Sequence, residues 1–261
     1  TEGAVDDAIR HCITKMSVLH FPGCEQSRMR VIQMGESPDT VFNVGEIGVE
    51  NCLNTDFLSR RELSDAICFP SVLGDYAVVT FHPVTMEDNT GVEQVRQLIA
   101  AMDEVSELSY IITMSNSDSG GRGINAEWEK ACVGKKNRLF VSSLGVRRYL
   151  SAVRYSKVVI GNSSSGIIEV PALGVPTVNI GDRQKGRMTA ESVINCLPEK
   201  DDIVKAVRKA IAPEFKKNCE KIDLPFGDGK TSGKIVECCL DALRNGKLSN
   251  KKKFYDIRFE I

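Results

Sequence analysis

A run of small polar residues, GNSSSG at positions 161–166, follows an apolar β-branched segment and precedes a short apolar segment that predicts a helix. We call this run the serine loop. Helix N-termini present free N–H groups and a positive dipole end, and serine hydroxyls add further donors. Arg183, Lys185 and Arg187 lie one predicted strand further along the chain. This pattern indicates an anion site, where Glu169 could bind sugar hydroxyls, but an ordinary capped crossover helix beside a basic surface loop has the same composition.

Two other positions carry groups that could move protons. His82 directly follows a predicted strand and precedes a proline, which favours an extended backbone at that point. Asp6 begins a predicted helix, and the pairs Asp6–Arg10 and Asp7–His11 have the spacing of ordinary helix ion pairs. The residues alone leave open whether His82 is catalytic or structural, and for Asp6 they favour the ion pair.

A regular alternation of strands and helices must position these groups. Such alternation predicts a parallel sheet covered on both faces, with ligands bound at the carboxyl ends of the strands. His82, Asn116 and the serine loop each directly follow a predicted strand, so three motifs converge on one edge. The predicted strands are Ala77–Phe81, Tyr110–Met114, Leu139–Val141, Val158–Ile160, Thr177–Ile180 and an edge strand at Val193–Cys196. The helices between them are predicted near Val92–Met102, Ala126–Cys132, Val146–Ala152 and Ile167–Leu173, the last one shortened or bent by Pro171.

The opening of the chain predicts an incomplete sheet. A helix with an apolar stripe from Val5 to Met16 precedes a strand at Val18–Phe21, a helix at Glu25–Met34 and a strand at Val41–Asn43. Two strands are too few for a stable sheet of this type. We therefore expect these residues to be the end of a domain that starts upstream.

Composition excludes several classes of function. With 34 Lys plus Arg against 35 Asp plus Glu among 261 residues, the chain lacks the basic footprint of a nucleic-acid-binding protein. Neither a membrane-spanning run nor a signal peptide is evident, and nine cysteines without CxxC spacing fit reduced thiols, so we expect a cytoplasmic protein. Three histidines and the lack of a GxGxxG motif argue against a metal site and a nicotinamide cofactor, and we expect no cofactor.

The segments GNSSSGIIE and GVPTVNIGDRQKGR resemble the signature of hydrolysing UDP-N-acetylglucosamine 2-epimerases of the sialic-acid-precursor type. The likeness continues through TEGAVDDAIRH, RVIQMGESPDTVFNVGEIGVEN, TFHPVTMEDNT and PFGDGKTSGKI, and so covers nearly the whole chain. Non-hydrolysing bacterial epimerases are similar only loosely, because they tend to carry an acidic, glycine-rich loop and lack the GDRQKGR run.

The resemblance implies an α/β fold of the GT-B type, with two Rossmann-like domains whose parallel sheets face a cleft. Residues 1–55 would be the last part of an incomplete N-terminal domain, and residues 56–232 a complete UDP-binding domain. Residues 233–261 would form a helix and tail that return toward the N-terminal domain. We expect the complete protein to be a homo-oligomer, either a dimer or a tetramer.

The implied reaction converts UDP-N-acetylglucosamine and water into N-acetylmannosamine and UDP, through a glycal, for sialic acid or related nonulosonic acid biosynthesis. The resemblance assigns acid–base chemistry to Asp6 and makes His82 a phosphate contact that is needed for activity. The implied UDP-binding residues are His82, Asn116, Ser163, Ser164, Glu169 and Arg183. In this assignment the two serines bind phosphate, Glu169 binds the ribose, and Arg183 binds the uracil or phosphate region.

Three alternatives stay open: a hydrolysing epimerase of a UDP-2,4-diacetamido sugar, a GT-B glycosyltransferase that shares the UDP site, and a truncated UDP-binding module without catalysis. The two other catalytic acids of the family lie upstream of Thr1, one of them in an HxEGGE-like segment. We therefore expect this chain alone to be inactive.

Overall fold

The computed structural model describes residues 5–83, 90–116, 120–219, 221–246, 248 and 251–257. Its backbone contacts divide the chain into two compact units, one of residues 1–54 with 224–261, and one of residues 55–223. We call them the terminal unit and the sheet unit. The predicted boundary at residue 232 differs from this division. Residues 224–232 pack with the terminal unit, because the Glu46 N–H donates to the Phe226 carbonyl at 2.8 Å and Gly227 lies against Gly45.

The elements of both units follow in chain order. The helices are α1 (Val5–Met16), α2 (Glu25–Gln33), α3 (Ile47–Leu53), α4 (Arg60–Ile67), α5 (Gly91–Glu104), α6 (Gly121–Cys132), α7 (Gly145–Tyr155), α8 (Ser165–Ile168), α9 (Lys200–Ile211), α10 (Pro213–Cys219) and α11 (Thr231–Arg244). The strands are β1 (Tyr76–Thr80), β2 (Ser109–Thr113), β3 (Arg138–Val141), β4 (Val158–Gly161), β5 (Thr177–Ile180) and β6 (Val193–Cys196). Short 3-10 helices lie at Pro38–Thr40, Pro70–Leu73 and Val170–Leu173.

The sheet unit contains a six-stranded sheet in the order β3-β2-β1-β4-β5-β6, and every described strand pair is parallel. This is the doubly wound order of Rossmann folds. Successive side chains of a strand point to opposite faces. Ala77 and Val79 therefore join the apolar core under α5, α6 and α9, whereas Tyr76 and Val78 join the core under α4 and α7. Burial on both faces explains why the strands are continuous apolar runs.

The structure confirms the six predicted strands of the sheet to within one residue at each end. It also confirms the effect of Pro171, because the predicted helix at 167–173 divides into the four-residue α8 and the 3-10 helix Val170–Leu173. A capping box at Ser59 and Glu62 begins α4, each side chain accepting the backbone N–H of the other residue.

Two predicted strands of the terminal unit, Val18–Phe21 and Val41–Asn43, were wrong. The described structure has a single parallel bridge there, between His20 and Val41. Backbone hydrogen bonds from the His20 N–H to Thr40 and from the Phe42 N–H to His20 flank this bridge, and one from the Val44 N–H to Pro22 lies just beyond it. A pair this short, with no third strand beside it among the described residues, does not make a ladder.

Three apolar side chains of α1 are exposed. The exposed fractions of Ile9, Ile13 and Met16 are 52%, 57% and 83%. None of residues 7–16 is buried. Within the described part of the chain, no helix is long and apolar enough to span a membrane.

Candidate functional site

The predicted site residues of the sheet unit lie where the strand order changes direction. β1 lies between β2 and β4, and this change of winding opens a crevice at the carboxyl ends of the strands. His82 follows β1, Asn116 follows β2 and the serine loop follows β4. The parallel register therefore brings three segments that are distant in sequence to one edge of the sheet.

Asn162, within the serine loop, joins these segments. Its side chain is 1% exposed and is bonded twice to the backbone of His82: the Oδ1 atom accepts the His82 N–H at 2.8 Å, and the Nδ2 group donates to the His82 carbonyl at 2.8 Å. Its own N–H donates to the Thr80 carbonyl at 3.1 Å. These two side-chain hydrogen bonds hold the backbone after β1 against the loop after β4.

The imidazole of His82 is oriented by the next strand. The backbone N–H of Asn116 donates to His82 Nδ1 at 3.1 Å. Because Nδ1 accepts this hydrogen bond, the neutral ring carries its proton on Nε2, which makes Nε2 a donor. Asn116 thus meets the site through its main chain.

Gly161 allows the serine loop to turn away from β4. Its φ of +136° lies in a region that L side chains rarely adopt, and an added Cβ would lie 1.9 Å from the Thr80 carbonyl oxygen. After the turn, Ser163 Oγ accepts the Ser165 N–H at 3.4 Å, and the Ser164 carbonyl accepts the N–H groups of α8 at 3.0 Å. The serine loop is therefore a turn held by hydrogen bonds.

A cavity of about 380 Å³ opens beside this turn. Its base includes the hydroxyls of Thr80 and Thr113, which are hydrogen-bonded at 2.7 Å, and its wall includes Tyr149, whose hydroxyl donates to Ser165 Oγ at 3.0 Å. The lining residues are Thr80, His82, Thr113, Met114, Ser142, Ser143, Leu144, Gly145, Val146, Tyr149, Ser163 and Ser165. The polar groups lie around an apolar wall, an arrangement suited to a small ligand with one polar end.

The cationic loop after β5 is attached to the serine loop through Arg183. Its Nη1 donates to the Asn162 carbonyl at 3.1 Å, and the buried Gln184 donates to the same oxygen from Nε2 at 2.8 Å. By contrast, Lys185 pairs with exposed Asp182 at 3.4 Å, and Arg187 is exposed. Of the three predicted cations, Arg183 is therefore the one that the described contacts join to the site.

Four predicted site residues, Asn116, Ser164, Glu169 and Arg183, do not line this cavity. Glu169 directly follows α8 and is half-buried, but it does not line the cavity. Ser164 is the residue that directly precedes α8, also away from the lining. Asp6 lies in α1 of the terminal unit, and its side chain is outside the described residues; its neighbour Asp7 is 3.9 Å from His11 in the ordinary i,i+4 ion pair.

The sequence interpretation missed Asn162, Gln184, Thr80, Thr113 and Tyr149. The signal for the first two was present, because each is a hydrogen-bonding amide inside a motif already singled out. The two threonines and the tyrosine have ordinary sequence contexts, and only their meeting around the cavity identifies them. Among the described residues, no group of three His, Cys, Asp or Glu side chains could hold a metal ion.

A family model described as UDP-N-acetylglucosamine 2-epimerase matches residues 1–240 of the chain. The chain is 38% identical to the polysialic acid biosynthesis protein P7 of Escherichia coli, over 97% of this chain and 64% of that protein. It is 37% identical to a GDP/UDP-N,N'-diacetylbacillosamine 2-epimerase (hydrolyzing) of Campylobacter jejuni, over 92% of this chain and 62% of that protein. The chain thus spans less than two thirds of the length of these curated relatives.

Solved structures support the fold. The crystal structure of UDP-GlcNAc 2-epimerase from Neisseria meningitidis bound to UDP-GlcNAc has a TM-score of 0.69 at 16% identity, covering 92% of this chain and 65% of that one. At this identity the likeness concerns the fold alone. It confirms the predicted α/β class of the GT-B type, of which this chain contains about two thirds.

Proposed function

The chain belongs to the UDP-N-acetylglucosamine 2-epimerase family, and from that premise we propose that the protein it represents is a hydrolysing 2-epimerase. The proposed reaction converts UDP-N-acetylglucosamine and water into N-acetylmannosamine and UDP. The observation that carries the proposal is the junction at Asn162, which joins His82, the serine loop and Arg183 at one sheet edge. The name of the Escherichia coli relative supports a role in polysialic acid biosynthesis, and the name of the Campylobacter jejuni relative supports the hydrolysing class.

The chemistry has two steps. A base removes the proton at carbon 2 while the bond from carbon 1 to the diphosphate oxygen breaks, and its electron pair leaves with UDP to give a glycal. Water then adds to the glycal. Its hydroxide binds carbon 1, and a proton is delivered to carbon 2 on the face opposite to the one from which the first proton was removed. Carbon 2 is thereby inverted. The enzyme must therefore stabilise the leaving diphosphate and position groups that transfer protons.

We assign the leaving diphosphate to the donors of the serine loop, His82 and Arg183. The hydroxyls of Ser163 and Ser164, the Nε2–H of His82 and the guanidinium of Arg183 would bind the developing negative charge, which is the form of electrostatic stabilisation that lowers such barriers most. Asn116 and Glu169 would contact the nucleotide, Glu169 at the ribose. Asp6 would transfer a proton at carbon 2, as a positioned general acid or base.

Titration calorimetry of this chain with UDP tests the nucleotide half of the proposal. We expect Arg183→Ala and Ser164→Ala to weaken UDP binding and Asp6→Asn to leave it unchanged. A charge-assisted contact is worth roughly 1.5–3 kcal/mol, so the Arg183 variant should lose about 10- to 150-fold in affinity. Lys185→Ala is the matched control, because it removes an equal charge from the same loop at an exposed site. Equal losses in the Asp6 and Arg183 variants would contradict this division of roles.

The catalytic half is tested by NMR detection of free N-acetylmannosamine from UDP-N-acetylglucosamine. We expect turnover by the protein that carries the upstream acids and none by these 261 residues alone. Retention of UDP on the epimerised sugar would contradict the hydrolysing class.

The name of the Campylobacter jejuni relative favours a second substrate, a UDP-2,4-diacetamido sugar. Assays with both sugar nucleotides at equal concentration would compare the two kcat/KM values, and the larger value identifies the substrate. The resemblance also supports a homo-oligomer, dimer or tetramer, for the complete protein, which sedimentation equilibrium tests.

A further inference from the structure

The terminal unit contains a buried charged cluster that the proposed reaction does not use. Glu36 has a side chain that is 1% exposed, and three basic side chains surround it: Lys15 Nζ at 2.6 Å, Lys252 Nζ at 2.6 Å and His20 Nε2 at 3.0 Å. Although burial raises the pKa of Glu36, the hydrogen bonds from Lys15 and Lys252 outweigh it and lower that pKa below its ordinary value. Glu36 is therefore a carboxylate at neutral pH.

Charge balance shows that Lys252 does more than neutralise Glu36. Burial lowers the pKa of His20 more than the nearby Glu36 raises it, so His20 is neutral. Lys15 alone would then balance the single charge of Glu36. The second ammonium, Lys252, brings a positive charge beyond this balance, and its side chain is 25% exposed.

The other partner of Lys252 is the end of α1. Its Nζ donates to the carbonyls of Thr14 at 3.0 Å, Lys15 at 3.0 Å and Ser17 at 2.6 Å. The last carbonyls of a helix lack intrahelical donors and carry the negative end of the helix dipole, so a cation there is favourable. Lys252 thus connects the end of α1 to Glu36 across more than 230 residues of sequence.

The residues around Lys252 contact the chain next to Glu36. Residues 251–257, which we call the strap, have no regular secondary structure. The Tyr255 N–H donates to the Gly35 carbonyl at 2.9 Å, and the ring of Phe254 lies so close to Gly35 that an added Cβ would be 2.3 Å from it. The ammonium of Lys15 lies 5.0 Å from the centroid of that ring.

We propose that the strap is a clamp that fixes the carboxyl end of α1 through Lys252, and that Lys252 is thereby a positioning residue for Asp6 on the same helix. The second part rests on the proposed function. The contacts of Lys15 and Lys252 hold α1 at its carboxyl end. Asp6 and Lys15 are nine residues apart, about 14 Å along a rigid helix, so a tilt at the clamped end moves the catalytic end.

Hydrogen exchange followed by mass spectrometry tests the clamp in this chain without any substrate. We expect amides of residues 13–17 to exchange at least about tenfold faster in Lys252→Met, a change of ~1.4 kcal/mol, while peptides from β1 exchange as before. Lys253→Met is the matched control, because it removes an equal charge from an exposed position of the strap. The exchange rate of these amides in Lys252→Arg should lie between those of the wild-type and Lys252→Met proteins. Equal exchange in the Lys252→Met and Lys253→Met proteins would overturn the clamp.

Phe254→Ala gives an independent test should Lys252→Met fail to fold, because it loosens the strap without changing charge. It should speed exchange in the same amides, and unchanged exchange would overturn the clamp.

The positioning role is tested by kinetics of the full-length protein. We expect Lys252→Met to lower kcat about tenfold while the Kd for UDP stays at the wild-type value, because UDP is assigned to the sheet unit. Faster exchange in α1 with an unchanged kcat would overturn the positioning role. A wild-type protein without turnover on either sugar nucleotide would refute the proposed function instead, and the exchange experiment would still decide the clamp.

Discussion

Replacing Asn162 with alanine removes the central connection of the site. Both lost hydrogen bonds are 2.8 Å long and join a side chain that is 1% exposed to the backbone of His82. A net hydrogen bond contributes about 0.5–1.5 kcal/mol, and a buried polar group left poorly bonded costs about 1–3 kcal/mol. We therefore expect Asn162→Ala to lower the free energy of unfolding of the sheet unit by about 2–4 kcal/mol, a large part of a typical total of ~5–15 kcal/mol.

Urea unfolding followed by tryptophan fluorescence measures this effect in the correct unit. The chain has one tryptophan, Trp128, and it is fully buried in the sheet unit. With a urea dependence of about 2 kcal/mol/M, the midpoint should fall by about 1–2 M. Asn218→Ala, at an exposed position of the same unit, is the control. UDP affinity of the folded variant should also fall. A midpoint within 0.2 M of the Asn218 control would refute the reasoning, with 0.2 M being about 0.4 kcal/mol on this scale.

Three further changes test other parts of the structure. Gly161→Ala should prevent folding of the site, because its Cβ would lie 1.9 Å from the Thr80 oxygen; native UDP affinity in this variant would contradict the assignment. Ser59→Ala removes a helix cap and should cost about 1 kcal/mol in the same urea assay, whereas an unchanged midpoint would show that the cap is unimportant. Acid should destabilise the terminal unit in two steps, measurable as faster hydrogen exchange. Burial lowers the folded-state pKa of His20, so its contribution is present above 6.5 and lost as pH falls below that value. Despite burial, lysine hydrogen bonds lower the pKa of Glu36, so its contribution is lost as pH falls below 4.5; stability that rises on acidification would contradict both signs.

Local patterns were enough to predict the sheet. Val158–Ile160 and Thr177–Ile180 are β-branched runs bounded by glycine, proline or polar turns, and such runs form strands wherever both faces are buried. The break at Pro171 was also predictable, because proline lacks the N–H that a continuing helix needs. The convergence of His82 and the serine loop followed from the geometry of parallel strands alone.

In the terminal unit, similar local patterns do not form strands. Val18–Phe21 and Val41–Asn43 have strand-like composition, yet the described structure joins them by a single bridge. A β-strand forms only when it pairs with an adjacent strand, and a local sequence pattern does not show whether such a strand is present.

Only the tertiary structure identified the two junctions on which the proposals depend. Asn162 meets His82 across 80 residues, and Lys252 reaches the end of α1 across more than 230. Neither residue is marked by its sequence context, since an asparagine in a loop and a lysine in a basic tail are ordinary. Their roles arise because burial removes water from around Asn162 and Glu36, so each polar group there must find its partner in a distant segment of the chain.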